Sequence, residues 1–319
     1  MLVSGAVLWA LAVVLSTWTL LRPGRLTPAR AMARLGRMSP SEIGLRYEEC
    51  DFIVCDEQSR ERLQIVGWWV AAVGKSDRAV VIVHGYADSR AGALAWAPVW
   101  LDIGFNALLI DLRAHGESAG TFTAAGLAER FDLQQVISEL RVRKPAQTQQ
   151  MMLFGASLGA TIALAAAEVT PDIAGVVIDS PVADFCHGVA TQSWLMGLPG
   201  SAVIRPGLWL AELWLGQHFS IIRPVDVIRR LNAPVLAILP SDDPFLPPAQ
   251  ATEIRAAIET LKMADGVSQV IDFEGATHLL SAHLHANQYS DVLNRFVSAC
   301  TPDRLARAPA EGAAAGQAN

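Results

Sequence analysis

The sequence predicts an α/β protein whose central sheet is mostly parallel and covered by helices on both faces. Short, continuous apolar runs such as Ala79–Val83 have the composition of strands buried on both faces. These runs alternate with helical segments such as Ala125–Val142, which is the order that a parallel sheet requires. The junction at Gly155–Gly159 carries a Gly-x-Ser-x-Gly pattern between a strand and a helix. The 319 residues are enough for one large domain of this kind with short extensions.

Composition and charge limit the functions that the chain can have. Hydrophobic residues make up 52% of it and charged residues 18%, which is typical of a folded globular protein and argues against disorder. A net charge of -6 gives no electrostatic footprint for nucleic acid, so no nucleic-acid partner is expected. The four cysteines form no Cys-x-x-Cys pair and no cluster with histidine. We therefore expect packed thiols and no metal site.

The N-terminal segment is long and apolar enough to interact with a membrane. Leu2–Leu21 carries no charge, and a helix of that length spans about 30 Å. Five arginines follow it between positions 22 and 37, which predicts an uncleaved anchor with the domain that follows it in the cytoplasm. The alternative is a signal peptide that releases a secreted protein, but no basic residue precedes the apolar run. We assign residues 1–21 to a transmembrane anchor and 22–44 to a juxtamembrane linker.

The domain proper is predicted over residues 45–300, and it looks complete without the N-terminal helix. It opens with two β-rich segments, Leu45–Val54 and Leu63–Val73, which are expected to pair antiparallel at an edge of the sheet. The later strands are predicted at Ala79–Val83, Phe105–Ile110, Gln150–Phe154, Ile173–Ile178, Pro234–Leu239 and Val267–Phe273. The helices are predicted at Ala91–Ile103, Ala125–Val142, Leu158–Val169 and Ser281–Ala299.

Residues 182–222 interrupt the alternation of strands and helices. This connection is too long for a simple loop, and it holds three tryptophans, among them Trp194 and Trp214. We expect a small helical cap over the strand ends, with these two tryptophans as candidate substrate-binding residues. The alternative is that they only pack the cap onto the core. The Ala/Gly-rich tail at 301–319 is predicted to be disordered.

Ser157 is the candidate nucleophile. It stands at the centre of Gly155-Ala156-Ser157-Leu158-Gly159, between a predicted strand and a predicted helix. A sharp turn of this kind lifts the serine into the cleft, and the small residues beside it let the chain close tightly. The free N–H groups of the first helical turn, starting with Leu158, then face a developing negative charge.

A serine hydroxyl needs a general base, and His278 is the candidate. It follows the last predicted strand, so it is expected at the same edge of the sheet as Ser157. His283 and His285 fall in the next predicted helix, where a spacing of two puts them on different faces. They are therefore not expected to hold a metal.

The acid that orients the base is expected after the penultimate strand. The segment 240–244 (PSDDP) stands there, and both Asp242 and Asp243 fit by position. Asp179, which follows an earlier strand, is the reserve candidate. The order serine, aspartate, histidine along the chain is typical of triads on sheets of this kind.

A second pattern, His84-Gly85-Tyr86, follows the strand Ala79–Val83. Its backbone would lie beside the serine turn, at the same edge of the sheet. We expect the backbone N–H groups of Tyr86 and Leu158 to form an oxyanion hole, in which one donor is typically worth a factor of roughly 10²–10³ in rate.

Together these segments resemble the α/β-hydrolase superfamily over about residues 65–300, and within it the membrane-tethered branch of alpha/beta hydrolase domain proteins. The resemblance is carried by His84–Tyr86, Asp111–Ser118, Gly155–Gly159, Asp179–Pro181, Pro234–Leu246 and Gly275–His278. In that family the acid stands three residues before a Val/Leu-Pro pair, which here is Leu246-Pro247 and favours Asp243. Two departures, Leu239-Pro240 in place of His-Gly and Ala114 in place of a glycine, remove no catalytic atom.

The resemblance and the residues imply a serine hydrolase that cleaves an ester or thioester through an acyl-enzyme. Such chemistry needs no metal and no organic cofactor. The expected partners are a small-molecule acyl ester with an apolar part and membrane lipid around the N-terminal helix. A serine peptidase or acyltransferase on the same triad, and a non-catalytic binding scaffold, remain the alternatives.

Overall fold

The structure is a computed structural model, and it describes residues 2–182, 184–195, 197 and 200–300. One sheet contains the strands β1 (Glu48–Cys55), β2 (Arg62–Val70), β3 (Arg78–Val83), β4 (Asn106–Ile110), β5 (Gln150–Ala156), β6 (Ile173–Asp179), β7 (Val235–Pro240) and β8 (Gln269–Phe273). Their order across the sheet is β1-β2-β4-β3-β5-β6-β7-β8. β2 runs antiparallel to β1 and β4, and the other neighbours are parallel. The expected α/β class and the antiparallel edge pair are confirmed.

Helices surround this sheet. The α-helices of the described residues are α1 (Leu2–Leu21), α2 (Pro28–Leu35), α3 (Arg90–Ala93), α4 (Ala97–Asp102), α5 (Glu129–Arg143), α6 (Leu158–Val169), α7 (Phe185–Leu195), α8 (Gly200–Leu215), α9 (Pro224–Arg230), α10 (Pro248–Asp265), α11 (Ser281–Leu284) and α12 (Ala286–Ala299). α7 and α8 form the expected helical cap after β6. Residues 183, 196, 198 and 199 of the cap and the tail 301–319 lie outside the described residues.

Three of the four helix predictions were wrong in their bounds. The predicted helix at 281–299 is divided at His285 into α11 and α12, and the other two differ for backbone reasons. The predicted helix at 125–142 begins only at Glu129, because Ala125 and Gly126 have φ values of 53° and 113°, which no α-helix accommodates. The buried Glu129 carboxylate accepts hydrogen bonds from the backbone N–H groups of Ala124 and Gly126 and so holds this turn. The predicted helix at 91–103 is split into α3 and α4, with Pro98 in the first turn of α4.

α10 lies in a segment where the sequence analysis placed no helix. It begins directly after Pro247, with Pro248 at its first position, and ends at Gly266 with a φ of 69°. Its buried residues are only Ile254, Ala257 and Ile258, so its apolar stripe is short. A mostly exposed helix of this kind leaves a weak periodic signal in the sequence.

The core lies on both faces of the sheet. β5 is buried along its whole length, with Leu153 in the cluster under α5, α6 and α9. Phe154 belongs to the cluster on the opposite face, under α3, α4 and α12. There its ring centroid lies 5.4 Å from that of Trp96. Burial on both faces fixes the register of the central strands and therefore the positions of the loops at their carboxyl ends.

α1 packs along the cap helix α8. Val13 and Thr17 face α8 and are buried, and the Thr17 hydroxyl donates to the Gly207 carbonyl oxygen at 3.0 Å. A Cβ at Gly207 would lie 2.6 Å from the Ser16 Oγ and 3.3 Å from the Thr17 Oγ1, so the two helices approach closely here. Among the described residues α1 is the one helix long and apolar enough to cross a membrane, and the window Ser4–Leu21 has a mean hydropathy of 1.8.

The segment 22–44 folds onto the domain. It contains α2 and a 3-10 turn at Pro40–Ile43, which follows a capping box between Ser39 and Glu42. Leu26 and Ala31 are buried in a small cluster with Trp68 and Ala91. The N-terminal helix is therefore joined to the domain by packed structure.

Candidate active site

Ser157 occupies a strained turn between β5 and α6. Its φ of 55° and ψ of -118° lie outside the regions that non-glycine residues favour, as expected where the surrounding structure forces the conformation. A Cβ at Gly155 would collide with the Gly159 carbonyl, and one at Gly159 would collide with the Val83 and His84 carbonyls. Both glycines are therefore required for α6 to start this close to β5 and β3.

His278 joins the serine to an acid. Its Nε2 lies 2.9 Å from the Ser157 Oγ, and its Nδ1 lies 2.7 Å from the Asp243 Oδ2. Because an ionised carboxylate only accepts hydrogen bonds, Nδ1 carries the proton in this arrangement. Nε2 is then unprotonated and faces the hydroxyl, which is the geometry for taking the serine proton.

Asp243 is the aspartate that faces the histidine. Its carboxylate is inaccessible to solvent, and its Oδ1 accepts the Phe245 backbone N–H at 2.8 Å. The Asp242 carboxylate accepts instead from the Ser241 hydroxyl at 3.1 Å. The Phe245 ring lies against the imidazole, with centroids 4.6 Å apart, and shields one face of it.

Asp179, the reserve acid, is held elsewhere. Its carboxylate accepts hydrogen bonds from the Trp96 indole at 3.2 Å, the Ser180 hydroxyl at 2.8 Å and the Tyr289 hydroxyl at 2.8 Å. Burial raises the pKa of this carboxyl group. Ser180 in turn accepts the Leu279 backbone N–H at 2.9 Å. Asp179 thus braces the loop that carries His278, a role that the sequence did not indicate.

The loop after β3 lies directly beside the serine. A Cβ at Gly85 would stand 3.3 Å from the Ser157 Cβ and 3.4 Å from the Ala156 carbonyl oxygen. Within the described part of the chain, the backbone N–H groups of Tyr86 and Leu158 donate to no protein acceptor. Leu158 is the first residue of α6, where N–H groups are free and the helix dipole favours negative charge.

His84 fixes the orientation of this loop. The ring is buried, and its Nε2 accepts the Leu112 backbone N–H at 3.1 Å. Nδ1 must then carry the proton, and it donates to the Gly85 carbonyl oxygen at 2.7 Å. Burial lowers the pKa of His84 to about 4, so the ring is neutral and keeps this tautomer at neutral pH. Sequence reasoning had identified His84 only as the start of a motif.

The two cap tryptophans lie on the outer surface of the cap. Trp194 is 74% exposed and Trp214 is 54% exposed. The Trp214 ring packs against Phe122, with centroids 4.5 Å apart, and borders a cavity of about 410 Å³ that also contacts Arg113. The residues that line this cavity do not include Ser157, His278 or Asp243. The role of the two tryptophans in substrate binding stays a prediction.

Hydrolases built on an α/β sheet typically combine three features. These are a strained serine turn after a parallel strand, a histidine after the last strand, and an acid in the loop after the strand before it. Residues 74–213 match the family model described as "Serine aminopeptidase, S33". The uncharacterized protein YqkD of Bacillus subtilis is 30% identical over 171 residues, which are 53% of this chain and 56% of that protein. Human protein ABHD12B is 28% identical over 191 residues, which are 56% of this chain and 49% of that protein.

A solved structure has the same fold. The esterase Pf2001 of Pyrococcus furiosus superposes with a TM-score of 0.69 and 21% identity, covering 88% of this chain and 98% of that chain. The present chain spans about half the length of the two curated relatives. The fold and these matches identify the protein as a member of the α/β-hydrolase superfamily.

Proposed function

We propose that the protein is a serine hydrolase that cleaves acyl ester or thioester bonds through an acyl-enzyme. Ser157 is the nucleophile, His278 the general base and Asp243 the acid that orients it. The observation that carries this proposal is the unbroken hydrogen-bonded chain from the Ser157 Oγ through both nitrogens of His278 to the Asp243 carboxylate. A serine becomes nucleophilic when such a base lies within hydrogen-bond reach.

The reaction has two half-reactions. The Ser157 Oγ attacks the acyl carbonyl carbon while the His278 Nε2 takes its proton, and the Asp243 carboxylate stabilises the imidazolium that forms. The carbonyl oxygen becomes an oxyanion, which accepts hydrogen bonds from the N–H groups of Tyr86 and Leu158. His278 then gives its proton to the departing alcohol or thiol. A water molecule, deprotonated by His278, releases the acid and restores the serine.

Two comparisons favour different leaving groups. The esterase Pf2001 shares the fold across almost its whole length, which supports ester substrates. The matching family model is described as a serine aminopeptidase, which makes a peptidase acting on the same three residues the second candidate. The catalytic residues are identical in the two cases, so the substrate decides between them.

We also propose that the protein works on an apolar substrate at a membrane. Leu8, Leu11 and Leu15 of α1 are 68%, 59% and 62% exposed. On the adjoining cap helices Trp194 and Trp209 are 74% and 64% exposed. Apolar surface of this extent is typical of a membrane or protein contact, and tryptophans concentrate at the membrane interface. Because α1 packs on α8, insertion of α1 would bring the cap against lipid as well.

The arginines after α1 support the proposed orientation. Arg22 is exposed and stacks on the Trp18 ring at 3.7 Å, and Arg30 and Arg34 are exposed on α2. Basic side chains in this position favour the cytoplasmic side, where anionic lipid headgroups are found. We therefore propose that α1 anchors the protein and that the catalytic domain lies in the cytoplasm. A mature protein that begins after α1 and is free in the medium would contradict this proposal.

One experiment tests the proposed reaction. The full-length protein is treated with a fluorophosphonate probe and assayed with p-nitrophenyl esters, acyl thioesters and aminoacyl p-nitroanilides. We expect covalent labelling at Ser157 and turnover of the esters and thioesters. Turnover of the anilides alone would support the peptidase. Neither labelling nor turnover, in protein shown to be folded, would contradict the proposal and favour a binding scaffold.

A further inference from the structure

Tyr86 is hydrogen-bonded to the N-terminal helix. Its hydroxyl donates to the Leu20 carbonyl oxygen at 2.9 Å and lies 3.3 Å from that of Thr19. The last carbonyl groups of a helix have no partner within it, so they are free to accept from another element. The next carbonyl, that of Leu21, accepts the Thr123 backbone N–H at 2.8 Å. Two loops of the hydrolase domain therefore cap the carboxyl end of α1.

Arg25 donates hydrogen bonds from the segment after α1 to the hydrolase domain. It follows α1 and donates to the carbonyl oxygens of Ser118 and Gly120, both at 2.6 Å. The same loop carries His115, whose ring lies 6.2 Å from that of Tyr86 and 5.0 Å from that of His84. The end of α1, the Tyr86 loop and the loop after β4 thus contact one another directly.

The backbone of Tyr86 is held from the other side. The Gly85 carbonyl and the Tyr86 N–H belong to one planar peptide group, so they point in opposite directions. His84 holds the carbonyl end of that group at 2.7 Å. The ring of Tyr86, held by α1, restrains the following Cα. The direction of the N–H is therefore set by a hydrogen bond on each side.

We propose that Tyr86 is a positioning residue of the oxyanion hole, and that α1 is part of the active site because it holds the Tyr86 hydroxyl. The inference rests on the proposed function, since it assumes that the Tyr86 N–H stabilises an oxyanion. Displacement of α1 from the cap frees the Tyr86 ring and lets the Gly85–Tyr86 peptide group rotate. The apolar helix is in this way linked to the reacting oxygen through a single side chain.

The hydroxyl keeps its proton under working conditions. Burial raises the pKa of Tyr86 to about 12, so the phenol remains a donor at neutral pH. Donation to a helix carbonyl then persists across the pH range in which a hydrolase of this kind is assayed. Loss of activity on removal of the hydroxyl would accordingly not depend on pH near neutrality.

The first test is Tyr86→Phe in the full chain, which removes only the hydroxyl. An oxyanion donor acts in the transition state, so we expect kcat for p-nitrophenyl butyrate to fall about tenfold with KM unchanged, less than the 10²–10³ for complete loss of a donor. A trifluoromethyl ketone, which forms a tetrahedral adduct, should bind more weakly by a similar factor. Tyr47→Phe is the matched control, because the Tyr47 hydroxyl makes no hydrogen bond among the described residues.

The second test displaces α1 without shortening the chain. Leucine at Gly207 would press against Ser16 and Thr17 of α1. We expect Gly207→Leu to reduce kcat by about the same factor as Tyr86→Phe, and the double variant to be no worse than either single variant. Shared loss of this kind is the signature of two changes that act through one contact.

Three results would overturn the inference. Tyr86→Phe with unchanged kcat and unchanged ketone affinity would show that the hydroxyl does not position the loop, even if the melting temperature falls. A double variant whose loss of kcat equals the product of the two single losses would show that Tyr86 does not act through α1. A fall confined to KM would place Tyr86 in ground-state binding. Failure of the wild-type protein to cleave any ester or thioester is a different result, because it contradicts the proposed function itself.

Discussion

The backbone N–H of Asp242 donates to the Ala276 carbonyl oxygen at 3.0 Å. This bond ties the loop after β7 to the loop after β8, and so fixes Asp243 relative to His278. The side chains of the two adjacent aspartates consequently point to different partners, with Asp243 on the imidazole and Asp242 on the Ser241 hydroxyl. Position in the sequence alone does not separate them.

Asp243→Asn should therefore be far more damaging than Asp242→Asn. The amide cannot stabilise the imidazolium and favours the wrong tautomer of His278, so we expect kcat to fall on the order of 10⁴-fold. Asp242→Asn keeps the backbone bond to Ala276, and its activity should stay within a factor of about three. Steady-state hydrolysis of a p-nitrophenyl ester measures both. A larger loss for Asp242→Asn would show that the acid is assigned to the wrong residue.

Ser157→Ala should abolish ester hydrolysis and block labelling by a fluorophosphonate. Removal of the nucleophile in a triad costs on the order of 10⁴-fold or more. Because the turn at a φ of 55° is strained in the wild type, the melting temperature of the variant should be compared with that of the wild type. Ser138→Ala is the control, since Ser138 is exposed on α5 and its hydroxyl donates to the Gln134 carbonyl of the same helix. Persistent labelling of the Ser157→Ala protein at another serine would refute the assignment.

The sequence predicted the three residues of the candidate triad because each follows a predicted parallel strand, and the carboxyl ends of parallel strands lie at one edge of the sheet. It did not distinguish Asp242 from Asp243 until the family resemblance was considered. Which of two adjacent residues faces the histidine depends on loop hydrogen bonds such as the one to Ala276. The contact between Tyr86 and Leu20 could not be predicted, since it joins a helix that looked separable to a loop 66 positions away. α10 was missed because few of its side chains are buried.

Asp88 should make stability depend on pH. It lies in the loop after Tyr86, and burial, together with the nearby Asp111 charge, raises its pKa to about 6. A raised pKa means that the folded state binds the proton more tightly than the unfolded chain, for which the value is near 4. The resulting stabilisation is complete below about pH 4 and is lost as pH rises through 6.

The comparison of Asp88→Asn with the wild type isolates this effect. Asparagine resembles the protonated acid and does not titrate, so the free energy of unfolding of the variant, relative to wild type, should increase between pH 4 and pH 7 by up to about 3 kcal/mol. Urea denaturation at several pH values measures the difference. Asp102→Asn, at an exposed position, should show no such trend. A difference that is constant with pH would show that Asp88 does not carry the raised pKa.

The acyl chain length of the substrate tests the proposal that the substrate is apolar. Each buried methylene contributes about 0.8 kcal/mol, so kcat/KM should rise from acetyl to octanoyl esters until the pocket is full. A series that falls steadily from acetyl onward would refute an apolar acyl substrate and favour small polar esters or peptides.

The same series, run on cap variants, separates two roles for the exposed tryptophans. At 74% exposure the Trp194 ring has most of its surface free for lipid, so we expect Trp194→Ala to weaken co-sedimentation with anionic phospholipid vesicles while the preference for longer esters persists. Trp214→Ala removes a ring that packs on Phe122 and should lower the melting temperature more than Trp194→Ala does. If replacing either tryptophan instead removes the dependence on chain length and leaves vesicle binding unchanged, that tryptophan contacts the substrate. Trp68→Phe, in the buried cluster under α2, is the control, because it changes an aromatic ring away from the cap and should alter neither vesicle binding nor the preference.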